Sequence, residues 1–181
     1  MVGEQSTGKS SVLESIVGLD FLPRGEGLCT RRPLELRLSH IQEGENVKPW
    51  GVFDEIKGEK FFDFNVIRSK IEELTDKRAG KNKNIIDDPI VLNIFSPTCP
   101  DLTLVDLPGI TRIPLKGSDQ PDDIEQITKS MADKYCRDPL TIILCVIPAN
   151  VDISTSEGLN MARKIDTEGK RTLGVITKVS Q

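Results

Sequence analysis

The chain has 181 residues, 37% hydrophobic and 29% charged, with a formal net charge of −4. This length predicts one domain with a sizeable core, and the apolar share argues against a disordered chain. The acidic balance argues against general nucleic-acid affinity, and a lone histidine, His40, argues against a His-based zinc site or catalytic triad.

The first ten residues contain Gly3-x-x-x-x-Gly8-Lys9-Ser10, a complete P-loop. Gly3 and Gly8 permit close backbone approach, so that successive N–H groups curl round a phosphate. Lys9 supplies an ammonium for the β- and γ-phosphates, and Ser10 a hydroxyl for Mg²⁺. A helix is expected over 9–17, with Val12, Leu13, Ile16 and Val17 on one side and its positive dipole end toward the anion. Only Met1 and Val2 precede Gly3, whereas a P-loop follows a buried strand of about five or six residues. The expectation is a sequence truncated at this end.

Residues 20–33 are a glycine-punctuated loop, and 34–39 alternate apolar and polar as a half-buried strand does. A short strand is expected over 50–56. A helix is expected over 62–77, with Ile67, Ile71 and Leu74 at i, i+4 and i+7. Residues 89–95 and 101–106 read as strands joined by a turn, and 108–121 as a second irregular segment. Ile124, Ile127, Met131 and Tyr135 mark a helical core stripe. Residues 140–147 form a fully apolar strand, far short of the roughly 20 residues that a membrane span needs. A helix over 154–165 and a strand over 172–177 follow.

Strands alternating with helices predict an α/β chain: a three-layer P-loop NTPase fold, a mostly parallel sheet with helices on both faces, its first strand largely missing. The four cysteines, Cys29, Cys99, Cys136 and Cys145, have no C-x-x-C spacing, which points to a reducing compartment such as the cytoplasm, with Cys145 as plain core.

A P-loop alone leaves kinases, ATPases and GTPases open. Asp106-Leu-Pro-Gly109 narrows the field, because a D-x-x-G sequence ends a strand at the edge where α/β sheets bind ligands. Asp106 can hold Mg²⁺ through water, and the Gly109 N–H can meet a γ-phosphate. Thr30, in the first irregular loop, can bind Mg²⁺ and the attacking water. The last strand ends in Thr177-Lys178, where a GTPase begins to read guanine. The usual pattern continues to an aspartate two residues on, and here that position is Ser180.

In this combination and order the residues resemble the dynamin superfamily of large GTPases. The resemblance rests further on Gln5-Ser6, Ser10-Ser11-Val-Leu-Glu14, Phe21-Leu-Pro-Arg-Gly-x-Gly27 and Thr30-Arg-Arg-Pro33. Downstream it adds Leu104 to Thr111, Asp119-Gln-Pro121, Pro148-Ala-Asn-x-Asp152 and Arg171 to Lys178. It implies GTP hydrolysis, with nucleotide contacts from Gly3, Glu4, Gln5, Ser6, Thr7, Gly8, Lys9, Ser10, Ser11, Arg24, Gly25, Gly27, Asp106, Gly109, Thr177 and Lys178. Small GTPases orient the water with a glutamine after D-x-x-G. Here that residue is Ile110, which has nothing to donate or accept. Gln5 and Thr30 are the alternatives within reach, and the resemblance implies the same assignment.

The resemblance also implies that Ser6, with the carbonyls around Gly25 and Gly27, holds a monovalent cation (Na⁺ or K⁺). It implies a GTPase-domain homodimer across the nucleotide, with Asp152 at the contact; otherwise Asp152 is an ordinary capping aspartate. For the parent protein it implies membrane fission, fusion or remodelling from the cytoplasmic side, with microtubules as a further partner. A different class remains open on the sequence: a catalytically inactive fragment or isoform acting only as an interaction module. A generic P-loop ATPase would bind ATP and GTP equally.

Overall fold

The computed structural model describes residues 1–23, 30–42, 48–82 and 84–179. In chain order the elements are α1 (Lys9–Val17), β1 (Leu34–His40), β2 (Trp50–Phe53), α2 (Phe64–Ala79), β3 (Ile90–Ser96), β4 (Leu102–Asp106), α3 (Ile124–Cys136), β5 (Ile143–Pro148), a 3-10 turn (Ile153–Thr155), α4 (Glu157–Ile165) and β6 (Thr172–Thr177).

Four strands are ordered β2-β3-β1-β4, and β5 pairs with β6 in a second sheet. The α/β expectation holds, with a mixed sheet: β1–β3 and β5–β6 are parallel, while β1–β4 and β2–β3 are antiparallel. β3 and β4, read from the sequence as strands joined by a turn, do not pair with each other; β1 lies between them. The turn at 96–100 is therefore an arch over β1. His40 anchors it, donating its N–H to Asp101 at 2.7 Å.

Met1 to Glu4 bridge the two sheets. The Val2 N–H donates to the Leu144 carbonyl and the Val146 N–H to the Val2 carbonyl, each at 2.9 Å. On the other side the Met1 ammonium donates to the Val105 carbonyl at 2.6 Å, and the Ile110 N–H to the Gly3 carbonyl at 3.1 Å. The P-loop thus leaves the sheet between β4 and β5.

Neighbouring residues of β4 point to opposite faces, as a strand requires. Leu104 joins a core under α1 and α2 with Leu13, Val17, Leu36, Ile67 and Leu92. Val105 packs against the core under α3 and α4, with Ala132, Cys136, Ile143 and Ala162. Those two clusters make the three layers. Cys145 is core as expected; burial pushes its thiol up to about 11.

Several boundaries move for local reasons. α2 starts at Phe64 because Asp63 caps it, accepting from the Asn65 N–H, and Phe62 stays exposed. β5 starts at Ile143, so Leu140 and Ile142, expected within a buried strand, are exposed. On α1 the inward face is Leu13, Glu14 and Val17, while Ile16 is exposed. The Glu14 carboxylate accepts from the N–H groups of Phe21 and Leu22 at 2.9 and 2.8 Å, folding the chain back under the helix. A period-3.6 apolar pattern has no place for such a residue.

Arg32 performs a similar task after the first loop, with its side chain 1% exposed. It donates to the carbonyls of Leu74 and Asp88 (2.8 and 2.6 Å) and to the carboxylates of Glu55 and Asp88 (2.8 and 3.1 Å). Arg31 binds Asp76 and the Gly80 carbonyl beside it. Both arginines bolt the residues following Thr30 to the end of α2 and the start of β3. Arg32→Ala removes these bonds, leaves the buried Leu74 carbonyl without its arginine donor and is expected to cost about 3 kcal/mol, read as a fall in the urea midpoint; an unchanged midpoint contradicts that role.

Candidate functional site

Backbone shape comes first. Gly8 precedes α1 in a left-handed conformation (φ 94°), and Ser6 is also left-handed (φ 62°), uncommon for a residue with a side chain. Alternation of this kind turns successive N–H groups into a concavity for an anion. Two hydroxyls brace it: Thr7 Oγ1 donates to the Glu4 carbonyl at 3.0 Å, and Thr177 Oγ1 to the Thr7 carbonyl at 2.6 Å. A Cβ on Gly3 would lie 2.6 Å from the Val146 carbonyl oxygen, so only glycine fits between β5 and the loop.

Lys9 is 6% exposed, and its Nζ donates to the carbonyls of Glu4 and Gly3 at 2.8 and 3.3 Å. Burial holds its pKa below the ordinary lysine value, against the opposing pull of Asp106 and Glu4. A buried, under-neutralised ammonium at the mouth of an amide concavity is suited to a polyanion.

The second centre is Asp106, 1% exposed at the end of β4. Ser10 Oγ and Thr30 Oγ1 donate to the same oxygen, Oδ2, at 3.1 and 3.2 Å. Asp106 Oδ1 is buried with no hydrogen-bond partner among the described residues. A cavity of about 20 Å³, room for one water-sized occupant, is lined in part by Ser10, Thr30 and Asp106. An orphaned carboxylate oxygen beside two hydroxyls is a hard-oxygen donor set that suits Mg²⁺. Among the described residues no group of three or more His, Cys, Asp or Glu side chains could hold a metal.

The D-x-x-G loop lies hard against the P-loop. A Cβ on Gly109 would fall 2.7 Å from both the N and Cα of Gln5. Ile110 is buried, its N–H donating to Gly3, so it turns away from any ligand. Gln5 is half-buried at that junction, beside Ser6.

Behind the loop sits α4, whose role was not read from the sequence. The Glu4 carboxylate accepts from the Glu157 N–H at 2.5 Å, at the first turn of α4. A Cβ on Gly158 would come within 3.1 Å of Gly3 Cα. The Glu157 carboxylate in turn pairs with Arg112 (2.8 Å), just after D-x-x-G, and with Lys129 (3.0 Å) of α3; Lys129 first, then Arg112, hold its pKa below the usual carboxylate range. Only Gly158, as a glycine inside an expected helix, carries a sequence signal for such contact.

At the far side β6 brings Thr177 to the P-loop. Thr177 packs 3.5 Å from where a Gly8 Cβ would be, and its hydroxyl serves the loop as described. Lys178 is exposed, in a left-handed conformation (φ 55°). Ser11 is exposed on α1. Asp152 accepts from the Ser154 N–H at 2.8 Å and caps the 3-10 turn, and that bond holds its pKa low. It remains exposed. Arg24, Gly25, Gly27 and Ser180 lie outside the described residues.

Residues 1–179 match the family model described as the dynamin family. The chain is 51% identical to Dynamin-A of Dictyostelium discoideum, covering 99% of this chain and 21% of the relative. It is 49% identical to Dynamin-1-like protein of Danio rerio (99% and 27%) and 49% identical to Dynamin of Drosophila melanogaster (99% and 20%). It thus spans between a fifth and about a quarter of the length of these relatives. With the P-loop, the buried Asp106 and the matching sequence in one continuous stretch, the chain belongs to the dynamin family, as a dynamin-type GTPase domain.

Proposed function

We propose that this chain binds GTP and hydrolyses it to GDP and phosphate, and that its parent protein couples the reaction to membrane remodelling. The observation that carries the reading is the convergence of Ser10 and Thr30 on Asp106 beside the buried Lys9 ammonium. The amide concavity from Gly3 to Ser10 takes the phosphates, with Glu4 and Thr7 shaping it, and Lys9 moves from the carbonyls of Gly3 and Glu4 onto the β- and γ-phosphates. Ser10, Thr30 and Asp106 are the groups that would hold Mg²⁺, which neutralises triphosphate charge when bound.

Water attacks in line, oriented by the Gln5 side chain and Thr30, since Ile110 is aliphatic and buried. Gly109 senses the terminal phosphate, with its approach to Gln5 as support. Thr177 and Lys178 border the base. A monovalent cation (Na⁺ or K⁺) is assigned to Ser6, Gly25 and Gly27, of which only Ser6 is described. The exposed Asp152 is assigned to a homodimer contact across the nucleotide. Action from the cytoplasmic side of a membrane, with microtubules as a further partner, belongs to the parent; no described helix is long and apolar enough to cross a membrane.

Competition of unlabelled GTP and ATP against fluorescent GTP, with phosphate release measured in parallel, tests the reading. GTP is expected to compete at least tenfold better and phosphate to be released only with Mg²⁺. Equal competition by ATP contradicts the guanine assignment, and saturable GTP binding without release contradicts hydrolysis.

A further inference from the structure

The buried face of α3 carries a hydroxyl in an otherwise apolar row. Ile124, Thr128, Met131, Ala132 and Cys136 point inward, and Thr128 is 1% exposed. An aliphatic side chain would fill that place without burying a polar atom, so the hydroxyl needs a reason. Part of the reason is local: Thr128 Oγ1 donates within its own helix, to the carbonyls of Ile124 (3.0 Å) and Glu125 (3.2 Å). The same oxygen also accepts the N–H of Thr111, at 3.3 Å.

Thr111 closes the D-x-x-G loop. It is buried, and its own Oγ1 donates back to the Gly109 carbonyl at 3.0 Å. Between the two, the Ile110 N–H donates to the Gly3 carbonyl of the P-loop. The loop is thus held from two sides, by the P-loop at Ile110 and by α3 at Thr111, with Gly109 pressed on Gln5. The next residue, Arg112, reaches α3 as well, through Glu157 and Lys129. In that chain of ion pairs Arg112 and Lys129 are 57% and 38% exposed, so solvent screens it. The Thr128 contact is buried, where an N–H left without an acceptor costs more. Of the two ties to α3, the hydroxyl is the stronger.

We propose that Thr128 is a positioning residue for GTP hydrolysis: it ties Thr111, and through it Gly109, to α3 and so holds the D-x-x-G loop on the P-loop. The proposal rests on the reading of Gly109 as the sensor of the terminal phosphate. A donor aimed at a developing charge acts only if it is held in place beforehand, and the far end of its loop sets how firmly it is held. Thr128→Val keeps the branched shape, but it removes the acceptor and sets a methyl against the Thr111 N–H. Thr128→Ser keeps the oxygen.

Amide hydrogen exchange of the nucleotide-free chain, followed by NMR, reads the tie directly. In Thr128→Val the Thr111 and Ile110 amides are expected to exchange about tenfold faster, as the loss of one buried hydrogen bond implies. The amides of the β1–β3 ladder should keep their rates, and Thr128→Ser should stay within about threefold of the unaltered chain. Single-turnover GTP hydrolysis by Thr128→Val should fall about tenfold and GTP affinity by no more than about threefold. Unchanged Thr111 exchange overturns the proposal, as does equal acceleration in the β1–β3 ladder or a serine variant that behaves like the valine one. Equal losses of turnover and affinity also overturn it. Thr128→Ala, which removes the oxygen and adds no methyl at the contact, takes the place of a valine variant that fails to fold and is judged by the same results. An unaltered chain that releases no phosphate defeats the hydrolysis reading, and the exchange rates alone then decide whether Thr128 holds the loop.

Discussion

Lys9→Ala is expected to lower GTP affinity by about 10²- to 10⁴-fold while leaving the Tm unchanged or slightly raised. The loss follows from two charge-assisted contacts to phosphate oxygens, each worth about 1.5–3 kcal/mol. The stability result follows from the resting state. Burial depresses the Lys9 pKa against the opposing pull of Asp106 and Glu4, so the charged form is disfavoured in the folded protein. Fluorescent-GTP titration and a thermal melt on the same sample separate the two effects. A large fall in Tm would mean that Lys9 serves the fold before it serves a ligand.

Gly109→Ala is expected to reduce GTP turnover by about 10²-fold, because a displacement of about 1 Å at reacting groups costs that much. The added methyl would lie 2.7 Å from Gln5 N and Cα, and both are backbone atoms that cannot rotate aside. The D-x-x-G loop must therefore retreat from the P-loop, taking Gln5 or the Asp106 carboxylate out of register with the phosphate. GTP affinity should fall much less than turnover, because a retreat of the D-x-x-G loop leaves Lys9 and the P-loop amides in place. Stopped-flow binding and single-turnover hydrolysis distinguish the outcomes. Equal loss in both would place Gly109 in ground-state binding, and no loss in either would mean that the loops do not act together.

Much of this was legible in the residues. The P-loop, Asp106 and Thr30 announce themselves because anion and cation binding demand particular groups at particular spacings, and the structure brings Ser10, Thr30 and Asp106 onto one carboxylate oxygen. The periodicities of α2 and α3 found their elements for the same reason: one buried face imposes one period. Contacts between distant segments were less legible. Nothing in a linear pattern says that β1 slips between β3 and β4, since a strand's alternation does not name its neighbour. Glu4, Glu14 and Arg32 look like surface charges until their partners, 7 to 153 residues away, are in place. The exposed start of the 140–147 run shows the converse, an apolar stretch that begins before its strand.

Asp106, with Ser10 and Thr30, is expected to form a Mg²⁺-dependent phosphate site with the P-loop. Calorimetric titration of GTP with Mg²⁺ and with EDTA, for the unaltered chain and for Asp106→Asn, tests it most directly. The unaltered chain is expected to lose at least tenfold in affinity in EDTA, and Asp106→Asn to show no such difference. GTP affinity that is the same with and without Mg²⁺ in the unaltered chain would contradict it.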